Sequence, residues 1–227
     1  MARKKKQSGI DRLTEIAARL RAPDGCPWDR EQDHMTLREH AIEEVYELID
    51  AIEAGDEVEM TEELGDMLFQ VVFHCQLGNE RGAFDFDRVA HRISDKLVNR
   101  HPHVFGTTKV GSVDDVLTNW EAIKRAEKVG TQHERPSALD GIPKHLPALQ
   151  RAEKLVKKAI KAKLIEGKVA GSKAKLPTKK ELAEHLFTLA AYAQQKGWSA
   201  ETLLREEVNR KEKALRKIEL KPAKASS

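Results

Sequence analysis

Hydrophobic residues recur along much of this chain at intervals of three and four positions, the spacing of one face of an α-helix. In one predicted helix, Leu64, Leu68, Val71, Val72 and Cys75 form a stripe that we expect to be buried. No stretch of useful length alternates between apolar and polar residues, so no sheet is predicted. We therefore expect an all-α protein. The predicted helices cover residues 10–20, 36–54, 57–77, 85–100, 113–128, 148–165, 178–196 and 199–217.

Breaks in the pattern separate the predicted helices. Two prolines and a glycine predict a loop without regular helix over residues 21–29. Thr36, followed three residues later by Glu39, predicts a capping box at the start of the second helix. Short connections join the helices up to residue 100, which is typical of a helical bundle.

The chain also shows a division into two related halves. The sequence ELGDMLF at residues 63–69 is echoed by ELAEHLF at residues 181–187, which indicates tandem repeats. The second copy is degenerate, because the lysine-rich helix near Lys154 has no acidic pair, and we expect it to serve packing or dimerisation. We expect helical domains at residues 10–130 and 148–220, a linker at 131–147, and a disordered basic N-terminus (1–9) and tail (221–227).

Composition narrows the classes of protein. With 40 basic and 37 acidic residues, the net charge of +3 gives no general polyanion-binding signal, so nucleic acid is not an expected partner. The two cysteines, Cys26 and Cys75, are too few for a disulfide framework or a zinc site, and we expect them to be reduced in a cytoplasmic protein. No apolar run reaches the roughly 18 residues of a membrane span.

The candidate chemistry lies in an acidic stretch. Glu44 and Glu47 share one face of a predicted helix, with Glu43 beside them, and Glu63 and Asp66 share a face of the next helix. If the two helices fold back on each other, these carboxylates converge, and their mutual repulsion is costly unless a cation is present. Ligation by oxygen alone suits Mg²⁺ or Mn²⁺.

A simpler interpretation of the acidic residues must be weighed. In a chain with 34% charged residues, a single Glu-x-x-Glu is usually a solvated face. Here two acidic pairs on adjacent helices border apolar residues, which favours a metal site for phosphate chemistry. A di-iron bundle needs Glu-x-x-His pairs, whereas the acidic pairs here are ExxE and ExxD, which argues against that interpretation. A phosphate-binding glycine loop and a serine-hydrolase motif are absent.

Phosphate substrates also need cations, and the chain offers candidates. Lys96 and Arg100 share one predicted helix face, and Lys124 follows Trp120 by four positions. Each has an ordinary alternative: a solvated face for the two cations, a core anchor for Trp120, and a hydrophobic plug for Trp28 in its proline-rich loop.

Several motifs in order resemble the MazG nucleoside triphosphate pyrophosphohydrolases over residues 10–150. The motifs are EExxE at 43–47, ExxD at 63–66, Lys96 with Arg100, GCPWD at 25–29, RHPHVF at 100–105, WEAIK at 120–124 and SALDGIP at 137–143. The resemblance implies an all-α NTP pyrophosphatase fold in which dimerisation helps to build the site. It also implies Mg²⁺-dependent cleavage of NTPs and dNTPs between the α and β phosphates.

Residue roles follow from the resemblance by position. The implied metal ligands are Glu44, Glu47, Glu63 and Asp66. The implied catalytic residues are Glu43, which would orient or deprotonate water, and Lys96. The implied substrate contacts are Lys96, Arg100, Trp120, Lys124 and Trp28. The sequence departs from two-domain members of the family in its second copy, which lacks EExxE and the arginine.

A second hypothesis comes from a different class. The chain could be a helical interaction protein, in which the acidic site binds metal for stability alone and the lysine-rich half docks a partner or nucleic acid. The intact acidic quartet together with Lys96 and Arg100 favours the enzyme, because a scaffold has no need to concentrate like charges beside an apolar core.

Overall fold

The structure is a computed structural model that describes residues 7–166 and 177–220. These residues form helices and connecting segments without strands, so the all-α prediction is confirmed. The helices are α1 (Gly9–Leu20), α2 (Pro27–Glu31), α3 (Arg38–Ala54), α4 (Glu57–Glu80), α5 (Phe86–Arg100), α6 (Pro102–Phe105), α7 (Val113–Ala126), α8 (Ala148–Lys161), α9 (Lys179–Gln195) and α10 (Ala200–Glu219).

The predicted loop over residues 21–29 was wrong in part, because it ends in the short helix α2. Pro27 occupies the first turn of α2, where the missing N–H costs nothing and the fixed φ favours a helix. The same arrangement starts α6 at Pro102. Proline therefore begins a helix at both positions, where the sequence pattern had indicated only a break.

The predicted capping box at Thr36 was also wrong. Helix α3 begins after Leu37, and no side chain caps it. Instead, the Thr36 hydroxyl accepts a hydrogen bond from the Asp33 N–H at 2.9 Å, and the Asp33 carboxylate accepts one from the Thr36 N–H at 2.8 Å. Each of the two side chains accepts a hydrogen bond from the backbone N–H of the other residue, and together these bonds close a turn before the helix.

The chain divides into two compact units, Met1–Trp120 and Glu121–Ser227. The predicted domain limits, with a linker at 131–147, stay predictions. Of the predicted N-terminal segment 1–9, residues 1–6 lie outside the described residues, while Ser8 caps α1. The predicted tail 221–227 also lies outside them.

In the first unit, α3 and α4 form a helix hairpin. Gly55 ends α3 with φ +68°, a left-handed conformation that glycine adopts without strain. Asp56 then caps α4 by accepting hydrogen bonds from Val58 N–H and Glu59 N–H. Helix α1 packs on α4 as well, and a small core forms around Leu37 and Phe73.

The predicted buried stripe of α4 is only partly correct. Val72 and Cys75 are buried, but Leu64, Leu68 and Val71 are each between 42% and 52% exposed. The stripe is exposed in its first half, from Leu64 to Val71. Its exposed half is therefore apolar surface that the fold of one chain does not cover.

In the second unit, α8 and α10 pack together around Leu139, Leu155, Ala159 and Val208. The buried Arg151 donates hydrogen bonds across this interface to Asn209 at 2.6 Å and Glu212 at 2.7 Å. Helix α9 packs on α10 alone among the main helix contacts of the described chain.

Two smaller predictions can be compared with the structure. Both cysteines are free, and burial raises the pKa of the Cys75 thiol, as expected for a small apolar side chain. Among the described residues, no helix combines the length and apolar character that crossing a membrane requires.

Candidate metal centre

The hairpin of α3 and α4 brings together three of the predicted metal ligands. Glu44 lies on α3, and Glu63 and Asp66 lie one turn apart on α4. One carboxylate oxygen from each of the three lies within 4.8 Å of the others. This spacing allows one divalent cation to contact all three side chains, which we refer to as the acidic cluster.

Burial and neighbouring negative charges both raise pKa values within the acidic cluster. Partial burial raises the pKa of Glu44, and the charges of Asp66 and Glu47 raise it further. Partial burial also raises the pKa of Glu63, followed by the charges of Glu47, Asp66 and Glu44. The cluster is therefore strained electrostatically without a cation, and a bound cation would relieve the strain.

Glu47 and Glu43 lie at the edge of the acidic cluster. Both are exposed, and Glu47 is close enough to raise the pKa of Glu44 and of Glu63. Glu43 has a weaker effect on Glu44, and its carboxylate lies 3.7 Å from His40 Nδ1. The structure thus brings one oxygen from each of three predicted ligands within 4.8 Å of the others, and it places the fourth, Glu47, near enough to raise the pKa of two of them.

Gln70 is a neighbour of the acidic cluster that the sequence analysis missed. Its side chain hydrogen-bonds to Glu44, which opposes the rise in that carboxyl's pKa. Its Oε1 is buried and has no hydrogen-bond partner among the described residues. The signal in the sequence was its position, four residues after Asp66 on the same helix face.

Comparison with known proteins agrees with this geometry. Residues 32–105 match the MazG nucleotide pyrophosphohydrolase domain, and this range contains all of α3, α4 and α5. This chain contains a MazG domain.

Similarity to individual proteins extends beyond residues 32–105. The "Nucleoside triphosphate pyrophosphohydrolase" of Escherichia coli K12 is 49% identical over 150 residues, 66% of this chain and 56% of that protein. The "Nucleoside triphosphate pyrophosphohydrolase/pyrophosphatase MazG" of Thermotoga maritima is 42% identical over 156 residues, 68% of this chain and 58% of that protein. The "Uncharacterized protein YabN" of Bacillus subtilis is 52% identical over 142 residues, 63% of this chain and 28% of that protein. The chain thus spans between 28% and 58% of the length of these three relatives.

Within the MazG domain, Arg100 ends α5 and is buried, with 8% of its surface exposed. Its guanidinium carbon lies 5.4 Å from the centre of the Trp120 ring, a cation–π contact. His101 meets the same ring edge-on, with ring centres 4.8 Å apart. Because Arg100 is buried, direct contact of this arginine with a phosphate would require neighbouring side chains to move.

The remaining predicted site residues are Lys96, Trp28 and Lys124, and none of them belongs to the acidic cluster. Lys96 is exposed on α5, one turn before Arg100. Trp28 is 53% exposed and contacts His40 edge-on at 5.7 Å, so it does not plug the core of its unit. Lys124 belongs to the second unit, where its ammonium lies 3.4 Å from Glu121. Trp28, Trp120 and Lys124 fall outside the residues that match the MazG domain.

Proposed function

We propose that this protein is a Mg²⁺-dependent nucleoside triphosphate pyrophosphohydrolase. It converts NTPs and dNTPs into the monophosphate and pyrophosphate, and so cleans or regulates the nucleotide pool of the cytoplasm. The observation that carries the proposal is the meeting of Glu44, Glu63 and Asp66 inside a domain that matches MazG.

The acidic cluster fits the metal that the family implies. Its donors are all carboxylate oxygens, which suit Mg²⁺ or Mn²⁺. Burial and the charges of neighbouring carboxylates raise the pKa values of Glu44 and Glu63, and a cation would offset both effects. Glu44, Glu63 and Asp66 would hold the cation, with Glu47 as the fourth ligand. When bound, Mg²⁺ supplies positive charge that offsets the negative charge of the substrate's phosphates.

The chain's own side chains would then carry the remaining tasks. The oxygen of one water bonds to one of the two phosphorus atoms joined by the α–β bridge. The bond from that phosphorus to the bridging oxygen breaks, and the bridging oxygen leaves with the other product. Glu43 would orient this water and accept its proton. Lys96 and Arg100 would hold the phosphates, and Trp120, Lys124 and Trp28 would contact the nucleotide.

A second copy of the chain would complete the assembly as a homodimer. The support is the apolar surface that one chain leaves exposed on the hairpin. The residues are Ile42, Val45, Tyr46, Ile49 and Ile52 on α3 and Leu64, Leu68 and Val71 on α4. On each helix they recur every three or four positions, so each set forms one face, and a face of this kind usually marks an interface.

The test is product analysis by ion-exchange chromatography. The purified chain is incubated with the eight common NTPs and dNTPs, with Mg²⁺ or with EDTA. We expect monophosphate and pyrophosphate only with Mg²⁺. Diphosphate and phosphate would contradict the cleavage position. Metal-dependent melting without any product would instead support the interaction protein described above.

A further inference from the structure

The second unit contains a cavity. Of the residues that line it, Lys124 alone has a role in the proposed function. Its volume is about 350 Å³, toward the low end of the roughly 300–1,000 Å³ typical of small-molecule sites. We call it the basic cavity, because its lining has five basic residues and three acidic ones. The basic residues are Lys124, Arg125, Lys128, Arg135 and Lys158, and the acidic ones are Glu121, Asp140 and Glu219.

Each of the three acidic residues already has a partner of its own. Asp140 pairs with Arg216 at 2.8 Å, from outside the cavity lining. Glu219 accepts hydrogen bonds from the Ser137 hydroxyl at 2.5 Å and the Ala138 N–H at 2.7 Å. Glu121 lies 3.4 Å from Lys124. Five cations and three carboxylates line the cavity, and a sixth cation, Arg216, pairs with one of these carboxylates, so positive charge is in excess around the cavity.

Lys158 is held in place within the basic cavity. Its ammonium donates hydrogen bonds to the carbonyl oxygens of Ala138 at 3.2 Å and Asp140 at 2.8 Å, and these fix its direction. Burial lowers the pKa of Lys158, and the charges of Lys124 and Arg135 lower it further, against the pull of Glu121 and Asp140. An anion bound among these cations would remove that repulsion.

A glycine makes room for Arg135. Gly141 has φ +86°, and a Cβ at this position would lie 2.2 Å from Arg135 Nη1 and 2.6 Å from its Cζ. No side chain other than hydrogen fits there unless the guanidinium moves. The backbone therefore admits Arg135 at the cavity, beside Lys158.

We propose that the basic cavity binds a multiply charged phosphate anion without a metal ion, with Arg135 and Lys158 as its main contacts. A guanidinium can grip two phosphate oxygens as a fork, and an ammonium acts as a point charge beside it. Inorganic pyrophosphate and the phosphate tail of a nucleotide share this chemistry. The binding of pyrophosphate does not depend on the proposed hydrolysis, since it involves none of the acidic cluster.

The test is calorimetric titration of the full chain with pyrophosphate in EDTA. We expect saturable binding by the unaltered protein that weakens about tenfold or more in Arg135→Ala, the usual loss for a hydrogen bond to a charged group. Gly141→Ala keeps every charge and should weaken binding by displacing the guanidinium. Lys154→Ala removes an exposed lysine of α8 outside the cavity and should leave binding unchanged.

Further measurements separate the outcomes. Arg135 is exposed, so Arg135→Ala should keep its helical content by circular dichroism and remain a valid test. Equal binding of pyrophosphate and ATP in EDTA assigns the site to the phosphate group, while binding of ATP alone assigns it to the nucleotide. No binding in EDTA, or equal weakening by Lys154→Ala and Arg135→Ala, would overturn the proposal. Pyrophosphate binding with no turnover would leave it standing while the proposed function failed.

Discussion

Helices α4 and α9 contain heptapeptides that are identical at four of seven positions, yet their carboxylates lie in opposite surroundings. In α4, Glu63 faces other carboxylates, and its pKa is raised by partial burial and by their charges. In α9, the corresponding Glu181 accepts the Thr178 N–H at 2.7 Å in a capping box, and this bond lowers its pKa. The second acid of the α9 copy, Glu184, lies 3.9 Å from Lys180 on the same helix.

The packing of the helices explains this difference. In the first unit α3 packs directly on α4 and supplies Glu44. In the second unit α8 packs on α10, and α9 also contacts α10. Even the aromatic residue of the repeat changes role, since Phe69 packs against a core cluster whereas Phe187 is 77% exposed. The chemistry of a carboxylate therefore follows from its partner helix more than from its own motif.

The largest expected effect comes from exchanging Glu63, the first of the two equivalent glutamates, for glutamine. Glu63→Gln should reduce Mg²⁺-dependent hydrolysis by more than about 100-fold, because even residues that merely support a metal ligand are typically worth 10–100-fold. It should also raise the melting temperature without metal, because it removes repulsion within the acidic cluster. Initial rates of pyrophosphate release and thermal melts in EDTA measure the two effects.

Glu181→Gln is the matched control for that substitution. It should leave the rate of hydrolysis within about twofold and lower stability slightly, since glutamine can still close the capping box but lacks the negative charge that stabilises a helix N-terminus. A comparable loss of activity in both variants would show that the two copies of the motif act together, and the contrast drawn above would fail.

Gln70 offers the next largest effect. Gln70→Leu removes the hydrogen bond to Glu44, and we expect Mg²⁺ to bind about 10–100-fold more weakly. Its stability without metal should be equal or higher, because the unpartnered buried Oε1 is also removed. Gln76→Leu, on the same helix, is the control and should leave metal affinity unchanged.

A third carboxylate, that of Glu80, extends the comparison through the pH dependence of the stability it contributes. Glu80 at the end of α4 accepts hydrogen bonds from Arg21 at 2.6 and 2.8 Å, and these lower its pKa. A lowered pKa contributes stability that is present above the ordinary value near 4.5 and is lost as pH falls through the folded value. Glu80→Gln should therefore cost about 1 kcal/mol at pH 7 and less at pH 3.

Urea unfolding followed across this pH range by circular dichroism measures the effect of Glu80→Gln. An unfolding free energy lower than that of the unaltered chain by the same amount at pH 7 and pH 3 would contradict the assignment, because the loss would then not depend on the charge of Glu80.

The smallest expected effect concerns the cap of α9. Thr178→Ala removes the side chain that accepts the Glu181 N–H and should cost about 1 kcal/mol. Thr178→Ser keeps the hydroxyl and should cost less. Thermal melts of the two variants give the difference, and hydrolysis should be unchanged in both. Equal melting temperatures for Thr178→Ala and the unaltered chain would mean that the box contributes nothing.

The sequence predicted the helices well because their apolar positions repeat with the period of a helix. It predicted the meeting of Glu44 with Glu63 and Asp66 because Gly55 and Asp56 require a short connection between α3 and α4. What it missed depended on other information. The turn at Thr36 was decided by competition from Asp33, and the exposure of Leu64 and Leu68 follows from which helices pack together in one chain.

The site beyond the acidic cluster was less predictable for a physical reason. Arg100 is buried, and its guanidinium contacts Trp120, which is twenty residues away in sequence. The basic cavity likewise forms from α7, α8 and the segment around Gly141, with contacts that no single motif encodes. Local patterns predict the helix faces, while long-range packing decides which side chains stay accessible.

The central claim is that Glu44, Glu63 and Asp66 form a divalent-cation site, whereas the equivalent acids of α9 do not. Electron paramagnetic resonance of Mn²⁺ titrated into the full chain tests this most directly. We predict a binding site that is lost in Glu63→Gln and kept in Glu181→Gln, and that Mg²⁺ displaces Mn²⁺ from it. Mn²⁺ binding that survives Glu63→Gln unchanged, or that disappears in Glu181→Gln, would contradict the account.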